Sequence, residues 1–205
     1  MSFSKTKIYN LALSHLLLAR QVENADTDTT NEVKVLNTFW DDALSSTLED
    51  LDLDSLSESI QLELLATLTE GPWTFAYKYP SRCEFLRRIE SGAITDNERT
   101  HIAKRTGVYN GQKAIFTNEA NAVGECIPKD LDLEFLNSPA GLAVSYFLAF
   151  LSAPLIVGKG ASKLKKEVYE SYLLMKSKAQ EIDSLENYNF DPAETRSSFV
   201  AARVE

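Results

Sequence analysis

The chain changes its hydrophobic rhythm twice, and this limits its possible folds more than any other feature. Up to Leu68 the apolar residues recur at helical spacing, and Gly71-Pro72 stops that pattern. Short β-type runs punctuated by Gly and Asn follow as far as Ile127, and the helical spacing returns near Pro139. Helices are therefore expected over residues 5–20, 31–50 and 57–69. The second is entered through a possible cap at Thr29 or Thr30 and buries Val33, Leu36, Phe39, Trp40, Ala43, Leu44 and Leu48. Trp73, Phe75, Tyr77 and Tyr79 alternate as on an extended segment. Residues 85–89, 100–104, 114–117 and 123–127 read as strands, with Asn110-Gly111 as a hairpin turn. Residues 138–152 and 161–182 read as an antiparallel helical hairpin, divided by Pro154, Gly158 and Gly160.

The expected fold class is mainly α (α+β): an antiparallel helix bundle with a small inserted antiparallel β-sheet and an extended C-terminal arm. The parts are residues 1–82 (helical), 83–127 (sheet), 128–186 (helical hairpin of the same domain) and 187–205 (arm). With 205 residues and 44% hydrophobic residues, the chain can bury a substantial core.

Charge is distributed unevenly. The net value is −9, which argues against a chain whose main task is gripping nucleic acid. Between Glu23 and Glu70 there are thirteen acidic residues and one basic residue, Lys34. Asp41, Asp42, Glu49, Asp50, Asp52 and Asp54 form the densest part of this acidic run. It reads as a solvated helical face, and in a channel-forming protein it would repel DNA.

No constellation points to catalysis, metal binding or a cofactor, so a non-enzyme is expected. His15 lies on an apolar helical face and His101 in a strand-like run, each far from any other histidine. Gly158 to Lys163 (GKGASK) lacks the spacing and ending of a phosphate-binding loop and follows an apolar helix, not a strand. Paired acids could hold a divalent ion, but the loop pattern of a calcium site is missing. Cys83 and Cys126 have no cysteine or histidine at metal-ligand spacing and read as two thiols of a protein folded in a reducing cytoplasm. The apolar stretch over 141–157 is interrupted by Ser145, Ser152 and Pro154, so no membrane span is expected.

Several stretches, in collinear order, carry a likeness to a known family. KIYNLALSHL (7–16) and FWDDALSSTLED (39–50) resemble the first two helices of the tail tubular protein A family. These are the head-to-tail adaptors, or connectors, of short-tailed bacteriophages. YKYPSRCEFLRRI (77–89) is similar to the family's entry into its sheet, and AIFTNEA (114–120) to the sheet's second half. LAVSYFLAFLSAPL (142–155), a charged helix and an Arg-containing tail resemble the family's closing hairpin and arm. In the first helix the family reads ALxxLGE, whereas here Ala12, Leu13 and Leu16 are followed by Leu17-Leu18. A PW.FA string that commonly ends the second helix is found later, at Pro72 to Ala76.

The resemblance implies a structural virion protein, made in the host bacterial cytoplasm. It would form a homo-dodecameric ring between the portal protein and the tail nozzle or tail tube. DNA would pass through its channel without sequence-specific binding during packaging, retention and ejection. The arm would dock on the portal, with Tyr188, Phe190, Arg196, Phe199 and Arg203 as anchors, since aromatic and arginine side chains dominate interface energetics. Another phage neck or head-completion protein and a non-viral helical interaction module are the alternatives.

Overall fold

The computed structural model describes residues 2–90 and 102–186. The fold is α+β, with four helices and two small antiparallel sheets. The helices are α1 (Lys5–His15), α2 (Asn31–Leu51), α3 (Ser138–Ile156) and α4 (Ala161–Glu186). The strands are β1 (Glu58–Gln61), β2 (Leu64–Thr67), β3 (Phe75–Lys78), β4 (Cys83–Ile89), β5 (Lys104–Tyr109), β6 (Gln112–Thr117) and β7 (Val123–Pro128).

Strand therefore begins at Glu58, and the helix expected over 57–69 is replaced by β1 and β2. Ile60, Leu64, Leu65 and Leu68 satisfy a helical period, yet Ile60, Leu62 and Leu64 also alternate with polar residues at period two. Pairing decides between the two patterns, because β2 bonds to β3 and the Leu62 amide donates to the Ala122 carbonyl at 3.0 Å. The single expected sheet is likewise two sheets, ordered β1-β7-β4 and β2-β3-β6-β5.

The chain divides into two compact units. The first comprises Met1–Glu58, Ser81–Arg87 and Cys126–Ser184. Its centre is α3, against which α1 and α2 both pack. Ala140, Ala143, Ala149 and Ala153 let the neighbouring helices approach, Gly141 leaves room for the Phe3 ring, and Val144 and Leu148 fill the gaps. Val144 and Leu148, both fully buried, contribute about 1.5–3 kcal/mol each. Asn137 caps α3 by accepting from the Ala140 amide at 2.9 Å. Pro154 does not end this helix, which continues to Ile156. The helix thus runs four residues past the 138–152 expected from sequence. By length and composition α3 could cross a membrane, with mean hydropathy 1.7, and half of it is buried inside the fold.

The second unit is built on Ser59–Pro80 and Arg88–Glu125. Its hairpin β5–β6 pairs Tyr109 with Gln112. Asn110 and Gly111 take φ of 48° and 78°, as a tight hairpin with positive φ at both central residues requires. Strand β3 lies against the other side of β6, with Ala76 opposite Phe116. Ala76, Ala114 and Ile115 are fully buried there.

Candidate functional site

The acidic segment from Asp41 to Asp54 supplies two different environments. In the outer part, Asp41, Asp42 and Glu49 lie on the exposed face of α2. Asp41 and Asp42 line a cavity of about 270 Å³ together with Ser45, Leu48, Glu84 and Lys129. Ser45 donates to Glu84 across this cavity at 2.5 Å. Among the described residues, no group of three or more His, Cys, Asp or Glu is arranged to hold a metal ion.

At the end of α2 the acids are tied into the fold. Asp50 accepts from the Tyr172 hydroxyl at 2.6 Å and pairs with Lys176 at 3.3 Å. Burial and this bond to a carboxylate both push the Tyr172 hydroxyl above its ordinary pKa, so it stays protonated and donating. Asp52 and Asp54 flank the buried Arg87 of β4, with Asp52 at 2.5 Å from Nε and Asp54 on Nη1. Arg87 also donates to the Asp52 carbonyl at 2.9 Å. Burial opposes the Arg87 charge, but the two carboxylates outweigh it and hold the guanidinium above its ordinary range. From α4, the buried Asp183 accepts the amides of Asp54 and Ser55 at 2.8 and 3.0 Å. Gln180 donates to the Leu51 carbonyl at 3.0 Å.

Asp41, Asp42, Glu49, Asp50 and Asp52 are exposed and Asp54 is half-buried, and Asp50, Asp52 and Asp54 in addition bind the end of α2 to α4 and β4. Arg87 and Asp183 were missed in the sequence. Their signals were a lone Arg-Arg pair inside an apolar strand and an acid on the apolar side of α4, and neither identifies a partner by itself.

Elsewhere, His15 stacks on Tyr146 at 3.7 Å and its Nε2 lies 3.0 Å from the Ser145 hydroxyl. Cys83 and Cys126 are not two separate thiols but form a disulfide, Cα atoms 5.6 Å apart, in the sheet β1-β7-β4. Phe135 is exposed at the rim of a second cavity of about 360 Å³, also lined by Arg82 and Asp130. The proposed anchors Tyr188, Phe190, Arg196, Phe199 and Arg203, and also His101, lie outside the described residues. The chain matches no protein-family model, and no curated protein matches it in sequence.

Proposed function

We propose that the chain is a structural head-to-tail adaptor of a tailed phage virion. In this reading it forms a dodecameric ring between the portal protein and the tail nozzle or tail tube, and DNA passes through that ring. It catalyses no reaction, makes no membrane contact and is built into the neck of the particle.

The observation that carries the reading is Leu17. It stands where the ALxxLGE stretch of the adaptor family has its glycine, and its φ is 61°. The Leu18 amide reaches back to the Leu13 carbonyl at 3.1 Å and the Leu17 amide to Ser14 at 2.9 Å. A helix closed in this way wants glycine at the left-handed position. A glycine at this position of the family pattern would suit such a turn, and this supports the reading. The remaining stretches of likeness fall in order on α2, β3–β4, β6 and α3.

The test mixes the purified chain with the portal protein of the same phage genome, followed by sizing chromatography and native mass measurement. A complex carrying twelve copies is expected, and a portal that never captures the chain removes the adaptor reading.

A further inference from the structure

Helix α4 starts against its own electrostatics. Lys163, Lys165 and Lys166 crowd its first turns, its first turn holds no acidic residue, and a helix N-terminus is already positive. Lys163 and Lys166 are 89% and 79% exposed and reach only Glu167 and Glu170, at 3.7 and 3.8 Å. Such pairs, with the lysine on the N-terminal side, are weak and readily exchanged. Beside them Tyr169, Leu173 and Leu174 are 39%, 45% and 54% exposed. Lys166, Tyr169 and Leu173 recur at helical spacing, so a mixed basic and apolar stripe faces outward.

Helix α2 has the opposite fault. Its last turn has no basic residue at the negative end of the helix, and Asp41, Asp42 and Glu49 lie along its exposed face. Among the described residues of one copy, Lys163 and Lys166 pair with Glu167 and Glu170 and form no ion pair with Asp41, Asp42 or Glu49, and it is Lys176 that meets Asp50 at the end of α2.

We infer that the lysine-bearing face of α4 seats on the acidic outer face of α2 in a second copy of this chain. The inference rests on the ring reading and names the two surfaces that would build the ring. Because the surfaces differ, the contact is head-to-tail, and repetition of one such contact closes into a ring when the rotation permits. Charge complementarity selects this occupant, and Tyr169, Leu173 and Leu174 supply the apolar area around it.

Carbodiimide cross-linking, which joins an ammonium to a carboxylate in contact, tests the pairing. Full-length chain labelled with heavy nitrogen is mixed with unlabelled chain. Links carrying one label from each preparation should join Lys163 or Lys166 to Asp41, Asp42 or Glu49. Their yield should fall about tenfold near 1 M salt, where the screening length shrinks to ~3 Å. The variant Lys163→Glu/Lys166→Glu alone, and the variant Asp41→Lys/Asp42→Lys alone, should lose these links. Mixing the two variants should restore them with the acid and amine exchanged, which also shows that both are folded.

Absence of inter-copy links in the wild-type chain, or in that mixture, overturns the inference. So does duplex DNA that binds the wild-type chain but not the α4 variant while no inter-copy links form. Portal capture without these links keeps the adaptor reading and removes this interface. Links without portal capture do the reverse.

Discussion

Leu17 is an 82% exposed leucine in the left-handed region, where a β-carbon costs roughly 1–2 kcal/mol and no burial offsets it. Leu17→Gly is expected to stabilise the chain by about 1 kcal/mol, after glycine's larger unfolded-state entropy is subtracted. Urea titration of both proteins measures this, and a loss of stability would show that the leucine makes a contact worth more than the strain. His15 is the second informative residue. Ser145 donates its own proton to the Leu142 carbonyl at 2.8 Å, which leaves its oxygen to accept from His15 Nε2–H. Burial lowers the His15 pKa from 6.5 to about 4. Between those values the unfolded chain takes up a proton that the folded chain refuses, so stability declines as pH falls from 6.5 towards 4. His15→Gln should flatten that part of the profile in pH-dependent melting, and an unchanged slope would mean that His15 is not the group responsible. The apolar setting of His15 was legible from its neighbours on α1. The Ser145 and Tyr146 partners were not, because they come from α3, far along the chain.

Among the elements, the end of α2 depends on one carboxylate of another helix. Asp183→Ala leaves the amides of Asp54 and Ser55 without their acceptor and should cost about 2–3 kcal/mol. Asp183→Asn keeps one acceptor oxygen and should cost less, which thermal melting of the three proteins would rank. The positions of all four helices were readable because each carries a long apolar stripe, and the hairpin turn was readable because Asn110-Gly111 has few other uses. The segment after α2 was misread because Ile60, Leu64, Leu65 and Leu68 fit a helical period while Ile60, Leu62 and Leu64 fit a period of two, and only bonding to β3 and to Ala122 separates the two patterns. Composition marks where the carboxylates are, but not that Arg87, Tyr172 and Lys176 tie Asp50, Asp52 and Asp54 into the fold.

For the whole molecule, the Cys83–Cys126 bond closes a loop with a sequence separation of 43 residues, most of which belongs to the second unit. Reduction should lower stability by about 2–4 kcal/mol, on the chain-entropy account of such loops. Urea unfolding with and without a reductant measures it, and coincident curves would mean that the bond contributes nothing in solution. The composition of the first unit from three separated chain segments also matters while the protein is being made. Helices α1 and α2 leave the ribosome with their apolar faces bare, because α3, which covers them, begins only at Ser138. At synthesis rates of roughly 5–20 residues per second, the wait from Leu51 to Ser138 lasts of the order of 5–20 seconds. Strands β2, β3, β5 and β6 are all out by Thr117, so their sheet can close first. The nascent chain thus carries a folded insert while its helical half is still looking for its core, and that interval is when it is most exposed to aggregation and to chaperones.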